Sequence, residues 1–155
     1  MLGAFDPRLY DQNCFACGAH NPHGLHLRFE RDGADGVLSR YDPKAADEGF
    51  PGVLHGGILA VLLDEAMAWA MWATARALGV TAKMETRYRR PVGVDGTLIV
   101  RGRVVRVRGR RMEVEASVDA ADGARVAEAT ALFLRFAPAE EAGLAAAMGW
   151  DAVPD

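Results

Sequence analysis

His55-Gly56-Gly57 opens a stretch that sets two adjacent carboxylates, Asp64 and Glu65, inside an almost wholly apolar run. From Gly57 to Leu78, seventeen of twenty-two residues are apolar, and the only charges are Asp64, Glu65 and Arg76. Apolar residues on every side predict a helix buried all round, yet a carboxylate taken from water costs free energy unless it is paired or used. Neither acid has Lys or Arg three or four residues away, where a helical neighbour would stand. A base from another segment could pair with either. Asp64 lies between Ala60 and Ala68, which leave room beside it, whereas Glu65 is flanked by Trp69 and Trp72. Asp64 is therefore the better candidate for chemistry.

The start of the helix adds a second element. Gly56 and Gly57 let a ligand approach the backbone, and the unpaired N–H groups and positive dipole end of a helix stabilise a carbonyl oxygen that gains charge. Asp64, two turns on, could act on the same carbonyl carbon, directly or through water. His55 is placed to bond the loop and fix the helix start; its imidazole also titrates where acid–base chemistry is useful.

These residues need a scaffold. A chain of 155 residues, 50% hydrophobic, predicts one domain. Leu25 to Arg31 and Gly36 to Tyr41 alternate apolar and polar residues about a turn with two glycines, predicting a hairpin. After the helix, strands are predicted at Thr81 to Arg90, Thr97 to Arg108, Arg111 to Ala120 and Ala124 to Phe136, with a bulge between Arg103 and Arg106 where the Arg pattern changes phase. Short turns predict that these later strands pair with their sequence neighbours. The Ala-rich tail after Pro138 predicts a short helix. The organisation is a leader over 1–24, a domain over 25–136 and a tail over 137–155. Its class is α+β: an antiparallel sheet wrapped around one long central helix. Open sheet edges predict a homodimer, or a dimer of dimers.

Charge narrows the partners. The net charge is −3, but Lys83 to Arg111 holds ten basic and two acidic residues. The stripe either faces solvent or meets a phosphate-bearing ligand, which suits the guanidinium fork. Nucleic acid is not expected of an acidic chain without a recognition motif. A membrane span is not expected either, because the carboxylates interrupt the apolar run short of the roughly 20 residues a bilayer needs. Met1 to Tyr10 has no apolar stretch behind a basic start, and two cysteines suit a reducing cytoplasm.

His55-Gly-Gly-Ile-Leu-Ala-Val-Leu-Leu-Asp64-Glu-Ala66, with Tyr88-Arg-Arg-Pro-Val92 downstream, resembles the hotdog-fold acyl-CoA thioesterases of the PaaI and hydroxybenzoyl-CoA type. Cys14-Phe-Ala-Cys-Gly18 with Asn21-Pro-His-Gly-Leu25 resembles a leader common in that superfamily. The resemblance implies a hotdog fold and hydrolysis of a fatty or aromatic acyl-CoA to free acid and coenzyme A. It makes Asp64 the acid that attacks the thioester or activates water, the Gly56 N–H the oxyanion donor, and Thr81 a hydroxyl that holds water. It implies coenzyme A in a cleft at a dimer interface, near Gly57, with Arg89, Arg90, Arg106 and Arg108 as phosphate contacts. No metal or cofactor is implied beyond the coenzyme A of the substrate. Glu48 and Gly49 stand where many relatives carry Asn, Gln or His. That departure keeps open a non-catalytic acyl-CoA or lipid-binding protein on the same scaffold; a dehydratase fits less well, since its catalytic His before Phe50-Pro51-Gly52 is missing.

Cys14, Cys17, His20, His23 and His26 recur every three residues, which invites a zinc reading. Structural zinc sites generally draw on two separated ligand pairs, and Asn21-Pro22 and the strand start at Leu25 point the histidines apart. The expectation is therefore a leader loop packed on the domain, without metal.

Overall fold

A computed structural model describes residues 3–155. Its strands are β1 (Phe29–Arg31), β2 (Gly36–Tyr41), β3 (Gly79–Tyr88), β4 (Leu98–Arg108), β5 (Arg111–Asp119) and β6 (Arg125–Arg135). Helix α1 runs Gly56–Ala75 between β2 and β3, and α2 runs Pro138–Met148; short 3-10 turns lie at Pro7–Tyr10 and Ala45–Asp47. The six strands form one antiparallel sheet in the order β1-β2-β4-β5-β6-β3, curled about α1 as the hotdog expectation has it.

Two expectations about the sheet change. β3 pairs with β6, with Thr86 opposite Ala129, and not with β4, its neighbour in sequence. The segment between Tyr88 and Leu98 is long enough to cross to the far side, so the short-turn rule holds only for β4, β5 and β6. The first strand is also shorter than its alternation predicts. His26 has φ 53°, a left-handed conformation no strand tolerates, so Leu25 to Arg28 stay outside the ladder although Leu25 and Leu27 are buried. The bulge falls where the Arg phase predicts it, between Val104 and Arg106.

Helix α1 packs chiefly on β2, β4 and β5. Its closest approach is at Gly102 in β4, where an added Cβ would stand 2.2 Å from the carbonyl oxygen of Ala66. Leu59, Leu62, Leu63, Ala66, Met67 and Ala70 are buried there against Val100, Met112, Val114 and Phe133. The helix is not buried all round. Ile58, Val61, Asp64, Glu65 and Ala68, spaced three and four apart, form a stripe only half-covered within one chain. α1 is long and apolar enough to cross a membrane by composition, but here it is the core of the sheet.

The leader and the tail close the other end of α1. Tyr10 stacks on Trp69 with ring centroids 4.9 Å apart, and Trp150 packs edge-on against Trp72 at 4.7 Å. Arg76, left-handed at the helix C-cap, stacks on Trp72 and donates to the carbonyls of Trp150 and Val153. Its charge lies where the helix dipole favours a cation.

Candidate active site

Asp64 projects from the half-covered stripe toward β3, where the Thr81 hydroxyl donates to its Oδ1 at 2.6 Å. Among the described residues no Lys or Arg pairs with either acid of the helix, so the alternative of a basic partner from another segment does not hold. Asp64 is thus an oriented carboxylate with one oxygen held and the other available. Thr81 sits at the irregularity in β3, where the register against β6 shifts between Thr81 and Lys83.

At the other end of the helix, His55 is the N-cap. Its Nδ1 accepts from the N–H of Gly57 at 2.8 Å, and the backbone N–H of His55 donates to the carbonyl of Asp47. Nδ1 therefore carries no proton in this arrangement, and the ring fixes the helix start. The N–H of Gly56, at the first helical position, has no acceptor one turn back and is free to meet a ligand. Tyr88 closes over this point, its hydroxyl donating to the Gly56 carbonyl at 3.1 Å.

Gly56 and Asp64 cannot serve one carbonyl within one chain. Eight residues of helix separate them by about 12 Å. The expectation that both act on the same carbon from the same helix is corrected by that length.

The arginines fall into two places. Arg89 and Arg90 follow Tyr88 at the end of β3 and pair with Glu128 and Asp122, Arg89 within a groove on the sheet that also holds Arg101, Arg103 and Arg125. Arg106 and Arg108 lie on β4, with β5 and β6 between them and β3, roughly 14 Å away at normal strand spacing. Arg106 forms a two-pronged pair with Glu113, whereas Arg108 has no ion pair among the described residues.

Sequence reasoning missed two features. Asp47, only 4% exposed, accepts from the Tyr41 hydroxyl at 2.5 Å and the Lys44 N–H at 3.0 Å, and so ties down the loop that presents His55. In the sequence it is merely one acid among several before Phe50. Glu65 is the second: it turns away from Asp64 toward the leader, accepts from the Trp69 indole at 3.1 Å, and lies against Cys14. The histidines disperse. His20 pairs with Asp11, His26 bonds the Asn21 carbonyl, and His23 is exposed.

Comparison with known proteins is consistent with this geometry. Residues 51–127 match the model of the thioesterase superfamily. Acyl-coenzyme A thioesterase THEM4 of Mus musculus is 27% identical over 92 residues, which are 59% of this chain and 39% of that protein. The chain thus spans well under half the length of that curated relative. Among solved structures, the thioesterase superfamily protein RHA08564 superposes with a TM-score of 0.74 at 26% identity, over 81% of this chain and 64% of that one. A hypothetical thioesterase of Streptococcus pneumoniae, solved with coenzyme A, shares the fold at 19% identity, with a TM-score of 0.66 over 71% of this chain and 85% of that one.

Proposed function

This chain belongs to the thioesterase superfamily, and from that premise we propose that it hydrolyses fatty or aromatic acyl-CoA thioesters as a homodimer. The observation that carries the reading is the placement of Asp64. It is half-buried, held by Thr81, without a cationic partner among the described residues, and on the half-covered stripe of α1. The edge strand β3 borders the same face, since Thr81 and Tyr88 both reach α1 from it. A second copy packed with its helix antiparallel would bring its Gly56 N–H within reach of this Asp64, and the two-fold axis would generate two such sites.

In each site the thioester oxygen accepts from the Gly56 N–H of one copy, and the carbonyl carbon faces Asp64 of the other. As a base, Asp64 takes a proton from water, whose oxygen bonds to the carbonyl carbon while the carbonyl electrons move onto oxygen. Collapse breaks the C–S bond, and the thiolate of coenzyme A leaves and takes up a proton. As a nucleophile, Asp64 would form a mixed anhydride that water then opens. Thr81 fixes the carboxylate in either route. Arg89 and Arg90, at the end of β3, would meet the nucleotide phosphates by exchanging their pairs with Glu128 and Asp122. The coenzyme A bound to the Streptococcus pneumoniae protein agrees with this substrate class.

The test follows loss of thioester absorbance with short, long and aromatic acyl-CoAs. Wild type turns over and Asp64→Asn does not, while both remain dimeric. Gly56→Pro removes the oxyanion N–H at the one helical position where proline fits, after a residue already extended at ψ 133°. Each variant alone is inactive. When equal amounts are unfolded and refolded together, half the dimers are mixed and one site in each is whole, so about a quarter of wild-type activity returns. No recovery despite proven mixed dimers overturns the shared site. Binding of acyl-CoA by wild type without turnover would transfer the assignment to a non-catalytic binding protein.

A further inference from the structure

We propose that Cys14, Cys17 and Glu65 form a binding site for a thiophilic divalent cation, zinc foremost, which pins the leader to the central helix. The sulfur atoms and a carboxylate oxygen of these three residues all lie within 4.8 Å of one another, although Glu65 is 51 residues from Cys14 in sequence. They combine a two-cysteine turn from one segment with a third ligand from another, the bipartite pattern that the leader alone lacks.

The turn is shaped for metal. The Gly18 N–H closes the turn by donating to the Cys14 carbonyl oxygen at 2.9 Å. Gly18 has to be glycine, because a Cβ there would stand 2.3 Å from the Cys14 nitrogen. The distances are close to those required. Zinc–sulfur bonds of about 2.3 Å and zinc–oxygen bonds of about 2.0 Å put tetrahedral ligands roughly 3.5 Å apart. Cys14 Sγ and Glu65 Oε1 are 3.9 Å apart.

The charges also call for a cation. Among the described residues no Lys or Arg answers this cluster; Arg28 donates to the carbonyls of Cys17 and Leu27 instead. Two thiolates and a carboxylate around a divalent ion leave a net charge of about −1, the same as a Cys₃His zinc site. The thiol protons leave to solvent as the metal binds.

A fourth position is open. The three ligands lie in the wall of a cavity of about 180 Å³ between α1, the leader and α2, lined otherwise mainly by apolar side chains. It has room for a water or an anionic group on the metal. Trp150 lines the same cavity, and its buried indole N–H has no acceptor among the described residues.

The test uses purified, reduced protein stripped with a chelator and titrated with Co²⁺, then Zn²⁺. One equivalent of Co²⁺ per chain with a thiolate-to-cobalt charge-transfer band, displaced by Zn²⁺, is expected. Cys17→Ser loses the band. Glu65→Gln keeps a thiolate band but binds at least tenfold more weakly, in line with loss of one of three protein ligands. The combined variant His20→Ala, His23→Ala, His26→Ala binds as wild type does. Wild type that takes up no stoichiometric metal overturns the site, as does a band that survives Cys17→Ser or vanishes with the histidines. Should Cys17→Ser fail to fold, wild-type stoichiometry and the histidine variant still decide.

Discussion

Gly102→Ala tests the idea that β4 sets the position of the helix and hence of Asp64. The new Cβ would stand 2.2 Å from the Ala66 carbonyl oxygen and 2.5 Å from its carbon, both backbone atoms that no rotamer change can move. Restoring ordinary contact requires the helix and the sheet to part by about 1 Å. Overpacking of this severity costs about 3 kcal/mol. For a domain of this size that lowers Tm by roughly 6–12 °C. The same displacement moves Asp64, two residues before Ala66, relative to the Thr81 hydroxyl held on the edge strand β3. A misplacement of about 1 Å at a reacting group costs on the order of 100-fold in turnover. Gly143→Ala is the control: nothing lies within 4 Å of its added Cβ, and as an α2 residue it should gain up to about 1 kcal/mol of helix propensity. Thermal unfolding and acyl-CoA hydrolysis of both variants are the assays. Gly102→Ala with wild-type Tm and wild-type turnover would refute the reasoning. Lost stability with full activity would show that the helix moves without carrying Asp64 off its partner.

Thr81→Ala removes the donor to Asp64 and should lower kcat about 10- to 100-fold, the equivalent of a hydrogen bond to a charged group, with little change in KM. Tyr41→Phe deprives buried Asp47 of its hydroxyl donor and should cost about 1.5–3 kcal/mol, read by denaturant unfolding. Glu141 pairs with Arg135 through two bonds of 2.6 Å and accepts from the Leu78 N–H; chiefly the Arg135 guanidinium holds its carboxyl below the ordinary value of 4.5. A depressed folded value means that its stabilisation is full above the unfolded value and is lost as pH falls through the folded one. The Tm advantage of wild type over Glu141→Gln should therefore hold at neutral pH and shrink below about pH 4.5. A gap that widens in acid contradicts the pairing.

Much of the fold could be read in the chain because its signals are local. Alternation placed β2, β4, β5 and β6 within a residue or so, and the change of Arg phase located the bulge at Val104. The tail helix followed from Pro138 and a run of alanines. What was hidden depends on distant contacts. The pairing of β3 with β6 overrides the rule that short turns join neighbours, and the left-handed His26 ends a strand that alternation alone would start at Leu25. The cluster of Cys14, Cys17 and Glu65 forms only when leader and helix meet, whereas the dispersal of the nearby histidines followed from Asn21-Pro22 in the sequence. The separation of Gly56 from Asp64, by contrast, was in reach of arithmetic on helix rise alone.

The order of the elements has a consequence for how the chain comes into being. Helix α1 is finished at Ala75, whereas β3, β4, β5 and β6 are encoded after it and end at Arg135. A ribosome adding about 5–20 residues each second needs roughly 3–12 s to supply those 60 residues. Through that interval the helix has only β1, β2 and the leader to shelter its leucines, methionines and tryptophans. Such a nascent chain should be a strong client for holdase chaperones. Synonymous slow codons between Ala75 and Arg135 would lengthen its exposure and lower soluble yield without altering one contact of the finished protein.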